Sequence, residues 1–271
     1  MKLYVPVMYE AGLGNTLKGF ISAFAVSDDV KIVCNYNNPL GFFDTVLKEE
    51  HIGNIEDRIS FSSCRFLILK EEENIQQDLN NEYSKYNEID LNEKSLWPIF
   101  SKKVMIDWYF DRSLINDQVF NRIQSYMEKI KWNQIILDEV EKYVKKFDFP
   151  TLGISVRSWN SHHPGDRGCR RPYDSKVYTE AIINVLQKNS EIKTIFISYD
   201  NLKYQNEYKD VLNYHNTITY ERPNYINDIQ YSVINMLILS KCNFYICNRI
   251  STFAELVFWF SKCSQQVTTV Y

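Results

Sequence analysis

Apolar and polar positions alternate in two different rhythms along this chain, and the change falls at Pro150. Before it, short β-type runs are separated by long polar or aromatic stretches. Leu3 to Met8 predicts a strand interrupted by Pro6, and Leu17, Phe20, Ile21, Phe24 and Ala25 recur at helical spacing from Asn15 onward. Val30 to Cys34 predicts the next strand. Between Lys70 and Lys94 the chain turns polar, with Glu71, Glu72, Glu73, Asp78, Glu82, Glu88, Asp90 and Glu93, which predicts a solvated excursion. The aromatic-rich segments Leu96 to Phe100 and Val104 to Phe110 predict packing residues, with stacking on a sugar ring as the alternative. Ile136, Val140, Tyr143, Val144 and Phe147 then mark one helix face before Asp148-Phe149-Pro150, where a first lobe is expected to end.

Beyond Pro150 strands and helices alternate. Strands are expected at Leu152 to Val156, Thr194 to Ser198, Asn216 to Tyr220, Phe244 to Cys247 and Gln266 to Val270. Helices are expected at Lys176 to Gln187, Tyr204 to Leu212, Asp228 to Ser240 and Phe253 to Ser261. This alternation predicts an α/β protein with a parallel, doubly wound sheet. The expected domains are residues 1–149 and residues 150–271.

Composition narrows the partners. A chain of 271 residues, 45% hydrophobic and 24% charged, can bury one large core or two of ordinary size. Its net charge of −3 lacks the basic excess of a duplex-binding protein, so no nucleic-acid partner is expected, while two or three arginines suffice for a small phosphorylated ligand. No run approaches about 18 apolar residues, so no membrane span is expected. The start Met1-Lys2-Leu3-Tyr4-Val5-Pro6 lacks a signal-peptide pattern, which gives a cytoplasmic expectation. The 6 cysteines, Cys34, Cys64, Cys169, Cys242, Cys247 and Cys263, fall at irregular spacings without a CxxC pair and are expected to be reduced packing residues.

Three places carry candidate chemistry. Gly12-Leu13-Gly14-Asn15 joins the first strand to its helix, and such a unit turns backbone N–H groups and the positive helix end toward an anion. The run Gly153-Ile154-Ser155-Val156 ends on Arg157, whose guanidinium can grip two phosphate oxygens and neutralise charge developing on a leaving group; the alternative is an arginine that merely finishes a strand. After a later strand, Asn248-Arg249-Ile250-Ser251-Thr252-Phe253 offers Ser251 or Thr252 as a helix cap, backbone donors for phosphate, and Arg249 as a second cation.

Other residues are more ambiguous. Asp200 follows a strand at the same edge, where an N-cap is one role, and Asp228 is an expected cap for its own helix. His162, His163, Asp166, Arg167, Arg170, Arg171 and Tyr173 crowd a polar loop of about fifteen residues, where two to six is usual, and Arg170 or Arg171 is expected to reach a ligand. Adjacent histidines share one metal poorly and no DxD sequence occurs, so no metal cofactor is expected. Glu10 and Asp166 are the candidate proton acceptors, each with a solvated surface acid as the alternative.

Taken together, Gly12-Leu13-Gly14-Asn15, the strand ending in Arg157 and Asn248 to Phe253 resemble the superfamily of GDP-fucose-dependent fucosyltransferases, which includes α1,2-, α1,6- and protein-O-fucosyltransferases. The resemblance is strongest over Leu152 to Ser261 and at the N-terminal loop. It implies two Rossmann-like lobes facing across a cleft, a GT-B-type glycosyltransferase, with residues 1–149 on the acceptor side and residues 150–271 binding the donor. It further implies inverting transfer from GDP-fucose to a glycan hydroxyl, with no required metal. By the same resemblance Arg157 contacts the diphosphate near the glycosidic oxygen, Asn248 to Thr252 contact it too, Asp200 takes the guanine base, and Glu10 is the acid beside the glycine loop. The family's strand-end motif His-x-Arg-Arg-x-Asp reads Ser155-Val156-Arg157-Ser158-Trp159-Asn160 here, so only its first arginine is kept. That departure admits another nucleotide sugar, GDP-mannose or a UDP-hexose, or a non-catalytic nucleotide- or carbohydrate-binding module.

Overall fold

Each of the two rhythms becomes a sheet. The computed structural model describes residues 2–6, 13–24, 28–33, 45–53, 69–70, 110–115, 117–158, 173–249 and 251–270. The described residues fall into two units: those within Met1–Asp107, Ser113–Leu137 and Asn227–Val233, and those within Trp108–Arg112, Asp138–Ile226 and Ile234–Tyr271.

In the first unit β1 (Lys2–Pro6) leads to helix α1 (Leu13–Phe24) and then β2 (Asp29–Val33), followed by the short β3 (Ile52–Gly53) and β4 (Leu69–Lys70). The sheet order is β3-β2-β1-β4, parallel except for β4. Helix α1 buries Leu17, Phe20, Ile21 and Phe24, the stripe its spacing predicts. Gly14 and Asn15 occupy its first turn, so the helix begins earlier than the apolar spacing suggests. Helices α2 (Asp117–Met127) and α3 (Gln134–Val144) follow, α3 contributing residues to both units. Buried His51 lies edge-on to the rings of Phe20 and Phe24, and its Nε2 accepts the Lys131 N–H at 3.2 Å. Removal from water disfavours its charged form and lowers its pKa, against the pull of Glu50.

The second unit holds the expected parallel sheet. Its elements are β5 (Thr151–Val156), α4 (Ser175–Lys188), β6 (Thr194–Tyr199), α5 (Lys209–Leu212), β7 (Asn216–Ile218), α6 (Asp228–Leu239), β8 (Phe244–Asn248), α7 (Thr252–Phe260) and β9 (Gln266–Val270). The order is β7-β6-β5-β8-β9 with every pairing parallel. Every residue of β5 and β6 is buried, the signature of strands covered on both faces. Leu152, Ile154 and Val156 pack with Tyr178, Ile182 and Val185 of α4 and with Ile195, Ile197 and Tyr199 of β6. On the other face Gly153 meets Leu239 and Cys242, and the hydroxyls of Ser155 and Tyr245 bond at 2.7 Å.

Three local expectations change. The helix expected over Tyr204 to Leu212 is a 3-10 turn at Leu202–Tyr204 followed by the short α5, because Tyr208 is drawn fully into the core and its hydroxyl bonds that of Tyr173. The strand expected to reach Tyr220 stops at Ile218, and Tyr220 turns its ring edge-on to Tyr143. The cap of α6 is Asn227 and not Asp228: Asn227 Oδ1 accepts the Gln230 N–H and Gln230 Oε1 accepts the Asn227 N–H, each at 2.9 Å, a reciprocal capping box. Both side chains also reach Thr45, at 2.8 and 2.9 Å. Cys242, Cys247 and Cys263 are free and buried, and burial pushes the Cys263 thiol to about 12 and the other two higher still. Cys34, Cys64 and Cys169, the polar stretch and the aromatic segments up to Tyr109 lie outside the described residues, while Phe110 packs edge-on to Phe258.

Two predictions follow from this packing. A Cβ on Gly153 would stand 3.0 Å from Cys242 Sγ and 3.1 Å from Leu239 Cδ2. Gly153→Ala therefore costs roughly 1–3 kcal/mol in urea denaturation, and adding Cys242→Ala recovers part of it. For His51, a folded pKa below the ordinary 6.5 means that the unfolded chain takes up the proton first as pH falls. Its stabilising contribution is complete above 6.5 and declines from there toward the lowered folded value, so His51→Gln flattens that part of the stability–pH profile.

Candidate functional site

The strand order of the second unit reverses direction once. From central β5 the chain builds outward through β6 and β7, then returns to place β8 and β9 on the other side. A switch point of this kind, at the carboxyl ends of β5 and β8, is where open α/β sheets hold ligands. The pairing opens there. All six residues of β5 pair with β6, from Thr151–Thr194 to Val156–Tyr199, whereas its pairing with β8 ends at Ile154–Ile246. Strand β8 meanwhile stays paired with β9 as far as Asn248–Val270. The two central strands therefore part over their last turns, with the residues after β5 on one side of the split and those after β8 on the other.

Arg157 and Ser158 are the first residues past β5. The Arg157 N–H donates to the hydroxyl of Tyr178, a fully buried residue of α4, at 3.1 Å. Its guanidinium Nη1 donates to Asp200 Oδ2 at 3.1 Å, with 48% of the arginine side chain exposed. The Ser158 N–H lies 3.0 Å from both carboxylate oxygens of Asp200, and its hydroxyl donates to Oδ1 at 2.6 Å. Asp200 in turn donates its N–H to the Val156 carbonyl at 3.2 Å. It does not cap the following turn; Asn201 does, accepting the Lys203 N–H at 3.1 Å.

Across the split, Asn248 is buried at the end of β8 and Arg249 is exposed, its N–H bonded to the Val270 carbonyl at 3.1 Å. Ser251 caps α7, accepting the Ala254 N–H at 3.4 Å, and Thr252 is the first helical residue. Helix geometry leaves the Thr252 and Phe253 N–H groups without an acceptor inside the helix, at its positive end. Residues Ala254 to Trp259 of α7 are all buried, which holds this terminus in place.

Of the residues singled out in the sequence, Arg157, Asp200, Asn248, Arg249, Ser251 and Thr252 all belong to the carboxyl edge of the second sheet. Gly14 and Asn15 belong to the first unit, and Glu10, Gly12, Asp166 and Arg171 lie outside the described residues. Two residues at this edge were not singled out in the sequence: Ser158, standing where the resembled motif has its second arginine, and Tyr178, whose hydroxyl holds the Arg157 backbone. Beside Arg157 a tyrosine cluster also forms: the Tyr173 hydroxyl bonds Glu207 at 2.8 Å and Tyr208 at 2.5 Å, and the Tyr204 ring lies 4.3 Å from that of Tyr173. Burial raises the pKa of Tyr173, Tyr199 and Tyr208, so their hydroxyls stay protonated.

At the opposite, amino edge of this sheet neutral hydrogen bonds join the strand starts. Thr151 and Asn243 exchange two hydrogen bonds, at 3.0 and 2.9 Å, and Gln266 donates to the Asn243 carbonyl at 3.0 Å. Among the described residues no three His, Cys, Asp or Glu side chains are grouped to hold a metal ion, and no helix is long and apolar enough to cross a membrane.

No family model and no curated protein sequence matches this chain. Solved structures do. The NodZ α-1,6-fucosyltransferase soaked with GDP-fucose matches with a TM-score of 0.55 at 12% identity, over 96% of this chain and 93% of that one. The selenomethionine form of NodZ from Bradyrhizobium gives 0.53 at 13%, over 95% and 91%. The apo form of POFUT1 gives 0.54 at 12%, over 99% and 97%, while against POFUT1 in complex with GDP the chain spans half of that structure, 50%, with a TM-score of 0.40. At these identities the likeness shows the fold alone: this chain has the α/β fold of fucosyltransferases.

The Ser251 cap contributes to stability. Ser251→Ala lowers stability by about 1 kcal/mol in chemical denaturation, and Ser251→Thr, which keeps a hydroxyl acceptor, retains most of it.

Proposed function

We propose that this chain is a glycosyltransferase and that the split between β5 and β8 binds the diphosphate of its nucleotide-sugar donor. The observation that carries the proposal is that parting of strands at the switch point, with Arg157 on one side and Arg249 with the α7 N-terminus on the other. A guanidinium and an oriented helix end suit a leaving group that gains negative charge as the sugar's C1–O bond breaks. The shared fold with NodZ, which was soaked with GDP-fucose and co-crystallised with GDP, supports GDP-fucose as the donor; the acceptor in this reading is a glycan hydroxyl.

In this reading residues 150–271 bind the donor through Arg157, Asp200, Asn248, Arg249, Ser251 and Thr252, with Arg171 and the segment Gly12, Gly14 and Asn15 completing the site; residues 1–149 carry the acceptor side. The transfer inverts the anomeric centre. Glu10 or Asp166 accepts the acceptor hydroxyl's proton, a modest demand because an oxocarbenium-like transition state needs little from its base. The donor's charge is met by arginines and backbone donors, and no metal is required. One observation favours a second donor with another base, a UDP-hexose: Asp200, the residue assigned to guanine, already binds Arg157 and Ser158.

The proposal is tested by thermal shift with GDP, UDP and ADP. The matching nucleotide stabilises the protein by RT ln(1 + [L]/Kd), about 2.7 kcal/mol at a hundredfold excess over Kd. Arg157→Ala is expected to keep its unliganded melting temperature and lose that shift. An Arg157→Ala protein shifted as much as the wild type would remove the assignment.

A further inference from the structure

Among the described residues four strands end the two sheets, and three of them are too short to template a partner strand: β3 and β4 have 2 residues each and β7 has 3. Strand β9 has 5, Gln266-Val267-Thr268-Thr269-Val270. It carries no charge and no proline, and its pairing with β8 runs without a bulge, so the usual devices that keep a sheet edge from pairing are missing. Its valines and threonines favour extended backbone. Gln266 and Thr269 are exposed, and Val267 and Thr268 are half-buried.

The pairing with β8 fixes which backbone groups face outward. Gln266 donates its N–H to the Asn243 carbonyl at 3.0 Å, and the Val270 carbonyl accepts the Arg249 N–H at 3.1 Å. Ladder bonds alternate along a strand, so Gln266, Thr268 and Val270 turn their N–H and C=O groups toward β8, while Val267 and Thr269 turn theirs to the open side. Among the described residues neither makes a backbone hydrogen bond there.

We infer that β9 pairs antiparallel with β9 of a second copy of this chain across a two-fold axis at Thr268, joining two 5-stranded sheets into one. The outward groups select this register. Antiparallel strands alternate residue pairs that exchange both N–H···O bonds with pairs that exchange none. With Thr268 facing Thr268 as a non-bonded pair, Val267 of each copy exchanges both bonds with Thr269 of the other, and every outward backbone group of the strand is satisfied. The side chains agree. Threonine faces threonine and valine faces threonine, cross-strand pairs of the stabilising kind, and no like charges meet at the axis. A second copy is the occupant because it brings an identical open edge: both long edges are consumed in one isologous contact, and assembly stops at two.

Light scattering over a concentration series is expected to move from the mass of one chain to that of two. Thr268→Lys sets two ammonium groups against each other at the axis and holds the protein at one chain's mass with an unchanged circular dichroism spectrum. Oxidised glutathione converts Thr268→Cys to a covalent dimer, since facing Cα atoms of a non-bonded pair stand about 4.5 Å apart, inside the disulfide range of about 4.4–6.8 Å. Thr269→Cys stays uncoupled, because its counterpart lies on the diagonal, about 7–8 Å away. The wild type, with Cys242, Cys247 and Cys263 buried, is the control. A chain that keeps one mass at every concentration, a dimer that survives Thr268→Lys, or Thr269→Cys coupling as readily as Thr268→Cys overturns the inference. If Thr268→Lys does not fold, the two cysteine variants decide. None of these outcomes bears on the donor site, which the nucleotide titrations test separately.

Discussion

Burial of β5 and β6 on both faces is the constraint from which the candidate site follows. Strands without a polar face can present chemistry only at their ends. At the amino edge Thr151, Asn243 and Gln266 are joined by neutral hydrogen bonds, while the carboxyl edge carries Arg157, Asp200 and Arg249. Charge can be concentrated at the carboxyl edge because the apolar interior, including Leu152, Ile154, Ile195 and Ile197, supplies the burial that holds the unit together. Parallel topology then adds a helix N-terminus to the same edge, since α7 starts where β8 stops.

The polar groups at that edge form a short hierarchy. Tyr178 answers to the core and holds the Arg157 backbone; Ser158 answers to Asp200; Asp200 answers to Arg157. Each contact at this half-exposed edge adds little to folding stability by itself. In the family that this sequence resembles, a second arginine and an acid stand at positions 158 and 160. The serine at 158 takes a different part, gripping the acid that follows the neighbouring strand.

The second sheet was legible in the sequence because its strands are apolar throughout and its helices have ordinary lengths. Arg157, Asp200 and Ser251 were visible for the same reason, each standing where an apolar run gives out. What escaped were relations between side chains distant in sequence. Nothing local marks Tyr178 as the partner of the Arg157 backbone, nor Tyr208 as the anchor that breaks the helix expected over Tyr204 to Leu212. The capping box at Asn227 and Gln230 was displaced by one residue toward Asp228, since an aspartate is as good a cap on paper.

That capping box also ties the two ends of the chain's history together. Asn227 and Gln230 fasten onto Thr45, and residues 227–233 belong to the unit that begins at the amino terminus. A nascent chain emerging from the ribosome therefore lacks a piece of its first unit until most of the second has been synthesised. Sequence order and folding order diverge, and a fragment cut after residue 149 would carry the early strands without the late segment that fastens to them.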